Sequence, residues 1–488
     1  MAERSTGPRR DQRQGQGQGQ GRRQGQGHGQ GQGQGQGRRQ GQQRPKRPRD
    51  PVRRTAFDVV QAVDERDAYA NLMLPSLLRE RGLTGRDAAL ATELTYGTLR
   101  GRGTYDAVLG MCSDRPVAKI DLALLNVLRL GTHQLLGTRI PPHAAVGTAV
   151  DLARSVSGPG QAKFANAVLR KVAARDLDAW LEIVAPADET GRLVVVHSHP
   201  RWIVNALRDA AGAGEVEALL AADNERPRVT LVARPGRSSV AELGGEPGAY
   251  SPYAAYLPEG DPGAVPAVAE GRAAVQDEAS QLVALALARA DLDGGPDGRW
   301  LDLCAGPGGK AALLEGLAGE RGAHLLACDL QPHRARLVRG SVDPATGVAA
   351  VAVADGSRPA WRPGAFDRVL ADVPCSGLGA LRRRPEARWR RGPEAIAELG
   401  PLQRRLLGSA IEAVRPGGVV AYVTCSPHLA ETRVVVDDVL RGRDDVERLD
   451  APSYLREVPG LGDGPYAQFW PHRHGTDAMF LALLRRRA

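Results

Sequence analysis

Leu301-Asp302-Leu303-Cys304-Ala305-Gly306-Pro307-Gly308-Gly309-Lys310 is an apolar run that breaks into a glycine-rich turn and leads into a helical segment. Glycines at such a turn let backbone approach a ligand closely and aim the free amides of the helix start at it. Outward from this stretch, apolar strand candidates recur at 300–304, 324–328, 348–354, 368–372, 419–424 and 478–484, separated by helical patterns. The alternation predicts a mostly parallel, doubly wound α/β sheet over residues 271–488, with ligands bound beyond the carboxyl ends of its strands.

The turn admits three readings. A P-loop needs Gly at 304 and Ser or Thr at 311, where the chain has Cys304 and Ala311, so that reading is rejected. A dinucleotide fingerprint is nearly met by Gly306, Gly308 and Ala311, with Asp329 at the next strand end available to ribose hydroxyls. An S-adenosyl-L-methionine site uses the same turn and the same carboxylate, and the turn alone leaves both open.

The later strand tips discriminate. Asp372-Val373-Pro374-Cys375-Ser376-Gly377 carries a thiol where enzymes that methylate exocyclic amines have an Asn/Asp-Pro-Pro-aromatic run. Thr424-Cys425-Ser426-Pro427 puts a second thiol at the following tip. Neighbouring parallel strands lie about 4.8 Å apart, so two adjacent tips can share a pocket. Paired thiols facing a methyl donor suit carbon 5 of a pyrimidine, which becomes nucleophilic once a thiolate adds at carbon 6 and needs a base to release the product. Cys304 and Cys328 are predicted as small buried side chains.

Ahead of this domain, residues 51–175 show helical periodicity at 86–100, 120–136, 143–156 and 161–174, predicting an all-α bundle of five or six helices. Thr84 with Asp87 reads as a capping pair, and Gly131 and Gly137 as interruptions or ends. Residues 176–270 combine a helical stretch at 200–221, a strand at 228–233 and a Gly/Pro-rich region, predicting a small α/β linker module. Residues 1–50 alternate Gly and Gln with arginine pairs and predict a disordered basic tail.

The net charge of +9 divides unevenly. Residues 1–50 hold twelve basic and three acidic groups; 51–175 sum to +6 and 176–488 to −6. Only five of the 65 basic residues are lysine, which makes Lys310 informative. The longest apolar runs reach seven residues, as at Leu282–Ala288, and five cysteines without a CxxC pair suit neither a disulfide framework nor a cysteine zinc site. These features predict a soluble, cytoplasmic protein with no membrane partner and no metal.

Asp372–Gly377, Thr424–Ser426, Cys304–Lys310 and Gln276-Asp277-Glu278-Ala279-Ser280 together resemble the RNA cytosine-5 methyltransferases. Pro142–Val146 with Lys163–Arg170 resembles the closing helices of the NusB family of RNA-binding domains. The combination is most similar to the bacterial 16S ribosomal RNA branch of the methyltransferase family, over residues 51–488. Two departures stand out: Gly306 replaces a usual alanine, and Asp477-Ala478-Met479-Phe480 replaces a usual Asp-Gly-Phe-Phe.

The resemblance implies a Rossmann-like S-adenosyl-L-methionine-dependent domain at 271–488 and a NusB-like RNA-binding domain at 51–175. It implies Cys425 as nucleophile on carbon 6 and Cys375 as the thiol that helps release product. It assigns Cys304, Ala305, Gly306, Pro307, Gly308, Gly309 and Lys310 to the methionine end of the cofactor. Asp329 goes to its ribose, Asp355 to its adenine, and Asp372 between donor and base. It implies 16S ribosomal RNA as the partner, naked or within a partly assembled small subunit, and a monomeric protein. Alternatives are a non-catalytic RNA-binding assembly factor, a nicotinamide-dependent oxidoreductase on the same turn, and action on another RNA such as tRNA. Arg382-Arg383-Arg384 with Arg388, Arg390, Arg391 and Trp389 predicts a grip on RNA phosphates, and His472 with His474 a surface loop.

Overall fold

The computed structural model describes residues 50–258 and 260–488. The predicted disordered tail lies outside the described residues except for Asp50, which caps the first helix: its carboxylate accepts from the Arg53 amide at 3.0 Å, and Pro51 occupies the first turn.

Seven helices follow where five or six are predicted: α1 (Pro51–Arg66), α2 (Ala70–Arg81), α3 (Gly85–Arg100), α4 (Arg102–Cys112), α5 (Leu122–Leu136), α6 (Pro142–Ser157) and α7 (Pro159–Val172). The first two lie in a stretch whose apolar spacing is broken by Pro75 and by charge pairs, which hides them from periodicity. Helix α5 is the central member, with Leu124, Leu125, Val127, Leu128 and Leu130 all buried. Gly131 sits inside α5 rather than breaking it, because a Cβ there would stand 2.8 Å from Leu169 of α7; Gly137 does end the helix. Thr84 occupies the cap position of α3, yet its hydroxyl makes no capping bond.

The linker contributes α8 (Leu177–Val184), α9 (Glu189–Val196), α10 (Arg201–Ala211) and α11 (Val216–Ala222). The continuous helical pattern at 200–221 is cut at Gly212, whose φ of +94° no helix accommodates. Then come β1 (Val229–Ala233), β2 (Glu246–Pro247), β3 (Ala254–Leu257), α12 (Pro266–Ala269) and β4 (Ala273–Val275), forming an antiparallel sheet in the order β2-β3-β1-β4. Helix α13 (Glu278–Arg289) docks this sheet: the buried Glu278 carboxylate accepts from the Tyr250 amide at 2.6 Å and the Ser251 amide at 2.7 Å.

The last domain alternates β5 (Arg299–Asp302), α14 (Gly309–Gly319), β6 (His324–Asp329), α15 (Pro332–Ser341), β7 (Ala349–Val353), β8 (Phe366–Asp372), α16 (Glu394–Ala413), β9 (Val414–Thr424) and α17 (Arg433–Leu440). It closes with β10 (Val446–Arg448), β11 (Ala467–Gln468), α18 (Pro471–His474) and β12 (Phe480–Arg486). The sheet order is β10-β12-β9-β8-β5-β6-β7, with β5 to β9 parallel, β12 antiparallel to β9, and β11 paired to β12. The chain reverses its direction of travel across the sheet between β5 and β8, which creates the crevice where such sheets bind ligands. Among the described residues no helix is long and apolar enough to cross a membrane.

Candidate active site

Every predicted site residue lies at the carboxyl end of a strand, in the turn that follows it or, for Gly309 and Lys310, in the first turn of α14. The 304–310 turn leaves β5 and enters α14, whose amino end points into the crevice. Its geometry depends on missing side chains: a Cβ on Gly306 would stand 2.7 Å from the Arg334 guanidinium nitrogen Nε, and Gly308, at φ +117°, 2.7 Å from Ser341. The turn is tied to the next strand, because the Gly306 amide donates to Asp329 Oδ2 at 3.0 Å while Gln331 donates to Oδ1 at 2.9 Å. Asp355 lies two residues beyond β7, its carboxylate held by the Ser357 amide at 2.9 Å and hydroxyl at 2.7 Å.

Asp302, at the end of β5, carries a residue role that motif reading missed. It is 1% exposed, and neither carboxyl oxygen has a hydrogen-bond partner in the protein. Burial, aided by the nearby Asp372 charge, pushes its pKa up to about 8. A glycine cradle open to backbone approach, a fixed ribose-type carboxylate and an orphaned buried acid beneath them fit a polar, cationic nucleoside such as S-adenosyl-L-methionine.

Strands β8 and β9 are neighbours, with Asp372 in register with Val423, so the loops beyond them run side by side. Cys375 Sγ lies 3.3 Å from Cys425 Sγ. Their environments split the pair. The hydrogen bond from Cys375 lowers Cys425 below the ordinary thiol range, against the effect of burial and with help from the Lys310 charge. The same bond, reinforced by burial, pushes Cys375 well up. Lys310 is held by Asp372, Nζ to Oδ2 at 2.8 Å. Burial alone would depress its ammonium; the Asp372 carboxylate reverses that and holds it above its usual range.

The loop carrying Cys375 is restrained by residues without a sequence signature. Glu431, fully buried, accepts from the Ser376 amide at 2.7 Å, and Gln403 of α16 donates to the Pro374 carbonyl at 2.9 Å. The Gly379 amide donates to the Cys425 carbonyl at 2.9 Å, bracing the two thiol loops together. Arg383 grips Asp477 with Nε at 2.9 Å, and Asp277, whose carboxyl burial raises to about 6, accepts from the Asp477 amide at 3.1 Å. Cys328 is buried as predicted, and Cys304 is partly buried.

The arginine cluster is not a single RNA grip. Arg388 is 0% exposed and spends its donors on protein: Asn224 Oδ1 at 2.7 Å, the Asp223 carbonyl at 2.8 Å, and the Arg100 and Ser198 carbonyls at 3.3 Å. Arg390 donates to the Ala68 carbonyl, Glu386 accepts from the Ala70 amide at 3.3 Å, and the Trp389 ring lies under Arg102. Arg382 is buried beside Asp277. Residues 382–390 therefore strap the catalytic loop to the helical bundle, and Arg384 and Arg391 are the members left exposed. His472 and His474 form the short helix α18 rather than a surface loop: His472 pairs with Glu215 at 2.7 Å, and His474 is buried against the Pro459 carbonyl at 2.8 Å.

Comparison with known proteins identifies the family of both domains. Residues 290–485 match the family model described as 16S rRNA methyltransferase RsmB/F, and residues 50–174 match the NusB family. The chain is 55% identical over 451 residues to a putative methyltransferase of Mycobacterium tuberculosis, covering 90% of this chain and 98% of the relative. It is 31% identical to a probable ribosomal RNA small subunit methyltransferase B of Synechocystis, covering 89% and 99%. The crystal structure of PH0851, 23% identical, superposes with a TM-score of 0.74 over 90% of this chain and 99% of that one, which shows the same fold. The helical domain and the α/β domain behind it thus belong to one known architecture, and the chain is an S-adenosyl-L-methionine-dependent methyltransferase of the RsmB/F family.

Proposed function

We propose that the protein methylates carbon 5 of a cytosine in 16S ribosomal RNA, with Cys425 as the nucleophile and Cys375 as the release thiol. The 3.3 Å approach of the two sulfurs carries this reading, because a single attacking thiol would need no partner. Residues 304–310 hold the methionine end of the cofactor, Asp329 its ribose and Asp355 its adenine, while Asp372 stands between donor and base. When bound, S-adenosyl-L-methionine supplies an electrophilic methyl group.

The protein's own steps follow from the split of the thiol pair. Cys425, the more acidic thiol, adds as thiolate to carbon 6 of a cytosine unstacked from the RNA, and carbon 5 becomes nucleophilic toward the methyl. Lys310, held by Asp372, supplies positive charge beside the thiolate. Once Cys425 is a thioether it no longer accepts the Cys375 proton, so the main influence raising Cys375 disappears. Cys375 can then lose its proton to solvent and, as thiolate, take the carbon 5 proton; the carbon 5–hydrogen electron pair forms the carbon 5–carbon 6 double bond as the carbon 6–sulfur bond breaks, that bond's electron pair returning to Cys425 as thiolate.

The +6 helical domain at 51–175 supplies RNA affinity, the module at 176–270 joins it to the catalytic domain at 271–488, and the protein works as a cytoplasmic monomer. Bisulfite sequencing of total RNA from a deletion strain tests the reading. Loss of one 16S 5-methylcytosine supports it; loss of a tRNA site instead moves the substrate, and no loss at all favours a non-catalytic assembly factor.

A further inference from the structure

We infer that Glu431 is a positioning residue that seats Cys375 for product release, acting together with Gln403; the inference rests on the release role proposed for Cys375.

Glu431 closes a short turn, Leu429–Glu431, six residues beyond the nucleophile, and is 0% exposed. Burying a carboxylate is costly unless its oxygens are satisfied. Here all the partners are neutral groups of the thiol loop and its support. Oε1 accepts from the Ser376 amide at 2.7 Å and from Gln403 Nε2 at 3.1 Å, and Oε2 accepts from the Ser376 hydroxyl at 2.5 Å.

The same Gln403 amide donates to the Pro374 carbonyl at 2.9 Å. The main chain immediately before and immediately after Cys375 is therefore held by one Glu–Gln unit. That unit is itself anchored. Gln403 is fully buried in α16, and the Tyr422 hydroxyl of β9 donates to the Glu431 carbonyl at 2.8 Å. Ser376 Oγ also lies 3.1 Å from Ser426 Oγ, joining the two strand tips one residue beyond each cysteine.

A buried carboxylate without a cation partner is a poor device for stabilising a fold, since apolar replacements of buried ions are often neutral or better. Aimed at an amide and a hydroxyl, it fixes direction instead, because both bonds are charge-assisted and constrain the loop in two places. The restrained object is the three-residue segment whose middle member is the release thiol.

The test compares wild type, Glu431→Gln, Gln403→Leu and Cys375→Ala as full-length protein, with S-adenosyl-L-methionine and ribosomal RNA from a strain lacking the gene. Single-turnover methyl transfer, steady-state turnover and the denaturation-resistant protein–RNA band are read together. For Glu431→Gln we expect single-turnover transfer within about 3-fold of wild type but steady-state turnover about 10- to 100-fold slower, the range of one lost charge-assisted hydrogen bond. The covalent band should accumulate, and should vanish in Cys425→Ala/Glu431→Gln.

Equal losses in single-turnover and steady-state rates without the band, or wild-type turnover, overturn the inference when Cys375→Ala does accumulate the band. Absence of the band in Cys375→Ala instead overturns the release reading on which it rests. Should Glu431→Gln lose cooperative melting, Gln403→Leu decides: it keeps the charge and removes the Pro374 contact, so accumulation supports the inference and its absence sinks it.

Discussion

Cys375 Sγ lies 3.3 Å from Cys425 Sγ, and this one contact lowers the Cys425 thiol while raising that of Cys375, setting a poised nucleophile beside a protonated partner. Removing the Cys375 thiol should raise Cys425 back toward the ordinary thiol value. The pH profile of iodoacetamide alkylation at Cys425, read by peptide mass, should therefore shift to higher pH in Cys375→Ala. An unchanged or lower midpoint would mean that Lys310, not the partner thiol, sets the reactivity.

Asp302 predicts a pH dependence of stability with a definite sign. Its carboxyl keeps its proton up to about pH 8 in the folded protein, whereas an unfolded aspartate loses it near 4. The stabilisation from this group is full below the unfolded value and is lost as pH rises through 8. Asp302→Asn removes the titration. Between pH 5 and 8, without cofactor, the melting temperature of the variant should rise relative to wild type; a constant difference across that window would show that Asp302 is already ionised.

Much of this site is legible in the sequence because its parts sit at strand tips, where glycine, proline and cysteine break the apolar pattern. Cys304–Lys310, Asp372–Gly377 and Thr424–Ser426 can be found without knowing which strands are neighbours. Glu431 and Gln403 cannot. Each sits in an ordinary helical or turn context and matters only because the sheet order sets β9 beside β8 and α16 beneath the loop. The arginine cluster fails for the opposite reason. Charge density along a chain reads the same whether Arg388 faces solvent or is enclosed by carbonyls of the bundle and linker.

That enclosure gives Arg388 and Arg391 different consequences. Arg388→Ala leaves buried carbonyls and Asn224 without their donor, and should cost about 3 to 5 kcal/mol, the range for removing one member of a buried charged network. Arg391→Ala, at an exposed position, should change stability by less than about 0.5 kcal/mol. It should instead weaken RNA binding and lower the slope of log affinity against log salt by about one. Urea melts and salt-titrated filter binding of both variants check this, and a salt slope altered by Arg388→Ala alone would reverse the assignment.

Gly379 offers the sharpest steric test of how the thiol loops are braced. Its amide donates to the Cys425 carbonyl at 2.9 Å, and its own carbonyl accepts from the Ala478 amide at 2.8 Å. The residue is thus wedged between the nucleophile's main chain and the segment entering β12. A Cβ here would overlap the Ala478 carbonyl oxygen and stand 2.9 Å from the Cys425 carbonyl oxygen. Both obstacles are backbone, which cannot rotate aside as a side chain can. Gly379→Ala must therefore push the Cys375 loop away from Cys425 or break one of the two hydrogen bonds. Displacement of the Cys375 loop widens the sulfur–sulfur separation, so Gly379→Ala should lower methyl transfer by at least about 100-fold, since displacements near 1 Å have effects of that order. Gly377→Ala makes a useful contrast, because space around Gly377 is open and only its φ of +78° is strained. Its activity should fall less than that of Gly379→Ala. Equal activity for Gly379→Ala and wild type would show that the two loops need not touch for catalysis.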